Sequence, residues 1–85
     1  MTSETSIIAI KIATHRDLVR ILDEVKKGNV IIASFSAFRN IEIRRDIVRR
    51  ILEARSRLNF NVLGVGSNFM IIAPSKVKIK IEDGS

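Results

Sequence analysis

Cysteine, tryptophan, tyrosine and glutamine are absent from this 85-residue chain, and proline and histidine occur once each. Without cysteine there is no disulfide framework, no thiolate metal cage and no cysteine nucleophile, and a cytoplasmic setting fits better than a secreted one. Long apolar runs are missing as well: none approaches the roughly 20 residues that cross a bilayer. Met1 to Ser6 lacks the positive start and apolar stretch of a signal peptide. The lone histidine, His15, has no serine, cysteine or second histidine near it in sequence to build a nucleophile or a metal shell, so it reads as a surface residue. Gly64 and Gly66 flank Val65 in a fragment of a dinucleotide fingerprint, but the third glycine and the following helix are missing. They read as turn glycines. No enzyme activity, metal or cofactor is expected.

What is present is 46% hydrophobic and 28% charged residues with a formal net charge of +6, the composition of a globular chain. Its length allows one domain with a modest core, placed at residues 6–82 between short tails at 1–5 and 83–85. Ile-rich segments, many Arg, Lys and Glu and no Gln resemble the composition of heat-adapted proteins.

Ser6 to Ala13 alternates, with Ile8, Ile10 and Ile12 on one face, as a strand does. Thr14 to Asp17 carries a capping-box pattern, and Leu18, Ile21, Leu22 and Val25 follow at helical spacing before Gly28. Val30 to Phe35 is apolar on both faces, which predicts a central strand and a right-handed parallel crossover with the first. Asn40 caps a second helix over Ile41 to Leu58. Phe60 to Val65, Phe69 to Ala73 and Val77 to Ile81 predict three further strands, with turns at Gly66-Ser67-Asn68 and Pro74-Ser75.

The expected fold is α/β: a two-layer sandwich of two helices on a mixed sheet of about five strands, in the order βαβαβββ. Two helices cover one face of such a sheet, while the first two strands carry Ile or Val on both faces and the second helix has a broad apolar arc. That surplus predicts a homodimer, and the arc of Ile43, Ile47, Val48, Ile51 and Leu52 is the expected interface.

Arg44, Arg45, Arg49, Arg50, Arg55 and Arg57 crowd the second helix. Glu42, Asp46 and Glu53 are interleaved at ion-pairing distance, so a solvated, salt-bridged face is favoured over a phosphate-binding one. Lys76, Lys78 and Lys80 fit an edge strand protected from aggregation, and Glu82-Asp83 reads as terminal charge. The alternative class is a small basic nucleic-acid-binding dimer of the chromatin-protein kind, disfavoured by having four Phe and no other aromatic to stack on bases. Duplex DNA titrated at two salt concentrations separates the two, because phosphate neutralisation is steeply salt-dependent.

The order of pieces resembles the globular core of the SepF family of cell-division proteins, particularly its archaeal SepF-like branch, from about Ile8 to Ile81. Carrying the resemblance are Thr14-His15-Arg16-Asp17 through Lys27-Gly28-Asn29-Val30-Ile31-Ile32-Ala33, and the ending Gly66-Ser67-Asn68-Phe69-Met70-Ile71-Ile72-Ala73-Pro74-Ser75-Lys76-Val77. It implies a non-enzymatic adaptor that dimerises, polymerises, and binds the C-terminal tail of the tubulin-like division protein FtsZ, supporting its ring at the division site. The implied docking place is the hairpin from Gly64 to Met70 near the dimer interface, with Phe69 or Met70 as the anchor position. Independently of the resemblance, the basic second helix makes Arg49 and Arg50 the cations expected to attract an acidic tail. The basic residue that some members place before this turn falls at Gly64, which departs from the pattern. The resemblance also implies an amphipathic membrane helix and linker ahead of the core. Met1 to Thr5 cannot bury an apolar face in a bilayer, so membrane contact is expected only through such a helix, which this chain lacks.

Overall fold

The computed structural model describes residues 4–82; residues 1–3 and 83–85 of the expected tails, with Asp83 of the terminal acidic pair, lie outside them. Six elements follow in the order β1 (Ile7–Lys11), α1 (His15–Lys26), β2 (Val30–Ser34), α2 (Ile41–Leu58), β3 (Phe60–Val65) and β4 (Phe69–Pro74).

Each helix is bounded by the residues its sequence signals. At the start of α1 the Asp17 carboxylate accepts hydrogen bonds from the backbone amides of Ala13 (2.8 Å) and Thr14 (3.0 Å), closing the capping box. Its end is a Schellman turn: Gly28 donates to Val25 and Asn29 to Glu24, with Gly28 at φ 97°, where a side chain would be strained. In α2, Asn40 Oδ1 accepts from Glu42 and Ile43, and Asn59 closes the helix in the left-handed region at φ 59°.

Asp17 gives the fold a pH dependence. The Ala13 amide first, and the Thr14 amide next, hold its carboxyl below the ordinary 3.8. A carboxylate depressed in the folded state stabilises above its unfolded pKa and loses that contribution as pH falls through the folded value. Asp17→Ala is therefore expected to lower stability by about 1 kcal/mol at neutral pH and by progressively less below pH ~4, measured by thermal melting across pH.

The four strands lie in the order β1-β2-β4-β3. β1 runs parallel to β2, as the intervening helix requires, and β4 is antiparallel to both β2 and β3. The expected central place of β2 holds. Both helices pack on one face, where Ile10, Ile31, Ala33, Met70, Ile72 and Phe60 meet Leu18, Ile21, Val25, Ile47, Ile51 and Ala54 in one core.

The fifth strand is not formed. Val77 to Ile81 alternates as a strand should, yet the chain there makes a turn, Val77 N–H donating to the Pro74 carbonyl (2.9 Å), and continues as irregular structure. Alternation belongs to the segment, but ladder bonds need a neighbouring edge. Both edges of β4 are already taken by β2 and β3, so the chain leaving β4 would have to cross β3 to reach a free one. One bond holds it there, from Asn61 Nδ2 to the Val77 carbonyl (3.0 Å).

Candidate functional site

The face of the sheet turned away from the helices has no cover from any helix. The register places Ala9, Ile32, Ile71 and Leu63 in one row across all four strands, and Lys11, Ser34, Phe69 and Val65 in the next; Ile7 pairs with Val30, and Asn61 with Ala73. Side chains alternate along a strand, so the partners of these residues on the other face are the core residues named above. Ile7, Val65 and Phe69 are exposed on this face, and Val30, Ile32, Leu63 and Ile71 are half-buried. A contiguous apolar surface spanning all four strands is more than a solitary soluble chain usually shows.

The hairpin at one end of this face is anchored from beneath. Phe35 N–H donates to the Asn68 carbonyl (2.7 Å). The Arg44 guanidinium reaches Asn68 Oδ1 (3.5 Å) and lies 5.4 Å over the Phe35 ring, which stacks on Phe38. These contacts fix the turn that presents Phe69. Of the two anchor candidates, Phe69 is 49% exposed on the open face and Met70 only 8% exposed, in the core; the alternation of β4 alone separates them.

A second polar cluster joins the helices. Asp46 of α2 pairs with Arg49, with Arg50 (2.9 Å) and with His15 Nε2 of α1 (3.0 Å). The Arg49 hydrogen bond above all, then those of His15 and Arg50, hold the Asp46 carboxyl far below its ordinary value. Among the described residues no group of His, Cys, Asp or Glu could hold a metal ion.

The sequence model described as "Cell division protein SepF" matches residues 7–79. The chain belongs to the SepF family. Among solved structures, a SepF-like protein from Archaeoglobus fulgidus is similar with a TM-score of 0.85 at 13% identity, over 95% of this chain and 99% of that one. One from Pyrococcus furiosus is similar with a TM-score of 0.80 at 25% identity, over 94% and 99%. Among curated proteins none matches the sequence. SepF membership makes this a cell-division protein, of a family with no known enzymatic activity.

On this SepF-family fold the expected site residues do not come together. Phe69 lies on the open face at the hairpin, whereas Arg49 and Arg50 sit on α2 and are engaged by Asp46; the arginine of α2 that touches the hairpin is Arg44, which charge counting had no reason to single out. Ile47 and Ile51 of the expected interface are fully buried in the chain's own core, Val48 is partly buried against it, and Ile43 and Leu52 remain exposed. Helix periodicity shows an apolar arc without showing which part the sheet will take.

The glycines also divide. Gly66 is a turn residue at φ 62°, while Gly64 lies inside β3, with nothing within 4 Å of the place its Cβ would occupy. Gly64→Ala is expected to raise stability by about 0.5–1 kcal/mol, since a strand glycine gives up more chain freedom on folding. Gly66→Ala is expected to lower it by about 1–2 kcal/mol, the cost of the left-handed conformation. Paired urea titrations measure both.

Proposed function

We propose that the chain is a non-enzymatic division adaptor that pairs with a second copy of itself through the open sheet face and binds the C-terminal tail of FtsZ beside the Phe69 hairpin. The observation that carries the proposal is the uncovered apolar face. Ile7, Val30, Ile32, Leu63, Val65, Phe69 and Ile71 share it, and a twofold partner would bury the whole of it at once. The surplus apolar surface that suggests a partner is thus assigned to the sheet. A tail entering beside Phe69 would find an aromatic anchor, and pairing of copies would turn weak single contacts into avidity on a polymer of FtsZ. Cytoplasmic action at the division site follows from that partner.

Light scattering tests the first half: the expected mass is twice the 9.6 kDa of the chain. Fluorescence titration of a labelled FtsZ tail peptide tests the second. A monomeric mass at micromolar concentration would overturn the pairing, and absence of tail binding by a dimer would overturn the adaptor role alone.

A further inference from the structure

The flank of α2 remote from α1 carries a stripe that lies off the open sheet face and meets the hairpin only through Arg44. At about 100° per residue, Arg44, Arg55, Val48, Ile41, Leu52 and Arg45 fall within an arc of roughly 100°. The apolar residues form its centre and the arginines its two margins. Ile41 is 66% exposed and Leu52 43%. The acids of the helix, Glu42, Asp46 and Glu53, all lie outside the arc.

The ion pairs follow the same division. Arg49 and Arg50 are engaged by Asp46, and Arg49 also by Glu53. Arg44, Arg45 and Arg55 make no ion pair among the described residues. The salt-bridged face anticipated from the interleaved charges therefore exists on one side of α2 only. Beyond Arg55 the surface continues to Lys78, Lys80 and the exposed Ile81, which line a shared cleft of about 370 Å³ with it.

We propose that this stripe is a membrane-contact surface of the globular domain itself, docking α2 side-on against anionic lipid headgroups. Arg45 and Arg55 would meet the headgroup charge while Ile41 and Leu52 enter the boundary of the acyl region, the arrangement of interfacial amphipathic helices. The shape favours a lipid surface over a peptide: the stripe is the convex side of a helix, with a shallow depression between Ile41, Arg44, Arg45 and Val48, whereas bound peptide helices lie in grooves. A second copy of α2 laid on the stripe would set arginine against arginine, and like charges facing across an interface are costly. The contact is distinct from any amphipathic helix ahead of the core, and it neither requires nor excludes the FtsZ tail.

Vesicle flotation without any protein partner tests it. The chain is expected to float with vesicles of phosphatidylcholine containing roughly one third phosphatidylglycerol, not with phosphatidylcholine alone, and to be released by salt. Arg45→Ala with Arg55→Ala is expected to weaken binding roughly 20-fold, and Arg45→Lys with Arg55→Lys to retain it. Ile41→Ser with Leu52→Ser removes the apolar centre and is expected to weaken binding on the order of tenfold. Arg16→Ala with Arg57→Ala deletes the same charge elsewhere and is expected to change binding less than about twofold. Melting curves confirm that each variant is folded. Failure to float with anionic vesicles, an equal loss in the Arg16/Arg57 pair, or stripe variants that keep vesicles but lose an acidic amphipathic peptide would each overturn the proposal.

Discussion

Substituting aspartate at Phe69 together with Val65 is expected to leave a folded monomer that no longer takes up the FtsZ tail. The two positions are adjacent partners on β3 and β4, and both are exposed on the open face, so the core gives up little. Across a twofold interface each carboxylate would be buried without a partner and would face its own symmetry mates. Like-charge juxtaposition of that kind costs several kcal/mol, on the order of a hundredfold or more in the dissociation constant. Light scattering should therefore show the mass falling from two chains to one at micromolar concentration, with an unchanged circular dichroism spectrum. Tail binding should be lost through removal of the Phe69 ring, and Met70→Leu, a volume-conserving change in the core, should leave it intact. A variant that stays dimeric would place the interface elsewhere, with Ile43 and Leu52, on opposite sides of α2, the next positions to test one at a time.

The opposite behaviour is expected of Ile47→Ala. Ile47 has no exposed surface and packs in the core with Ile21, Ile31 and Ile72. Truncating a buried isoleucine removes its transfer free energy and leaves a cavity, together about 2–5 kcal/mol. A domain of this size has a total stability at the low end of the usual 5–15 kcal/mol range, so the variant should melt at least about 10 °C below the parent chain. Leu52→Ala, five residues along the same helix, should cost less than about 1 kcal/mol, because its side chain is exposed already. Urea denaturation of the two variants distinguishes a core helix face from an interface helix face: if Leu52→Ala were as damaging as Ile47→Ala, α2 would have to be covered by a second copy.

The contrast between Ile47 and Leu52 shows where the sequence stops being informative. Both belong to one apolar arc at helical spacing, and the spacing cannot say which part of the arc the sheet will cover. The same holds for Val77 to Ile81, a well-alternating segment with no free edge of β4 beside it, and for Arg49 and Arg50, whose charge is engaged by Asp46 while Arg44 reaches the hairpin instead. For Phe69 and Met70 alternation puts the two on opposite faces of β4, and only the packed sheet shows which of those faces is the core.

Local chemistry decided the rest in advance. The capping box at Thr14 and Asp17, the Schellman glycine at position 28, the Asn40 cap, the two helices and four of the strands follow from interactions within a few residues of one another, and such interactions are written in the order of the chain. The absence of cysteine likewise excludes disulfides and thiolate chemistry from the sequence alone. The tertiary structure alone decided which apolar faces close on each other and which remain open, because burial depends on residues far apart in sequence meeting across a sheet whose strand order the chain does not spell out. That is why the helices, and with them the acid-free arc of α2, were legible at once, while the open sheet face and the exposure of that arc came only with the fold.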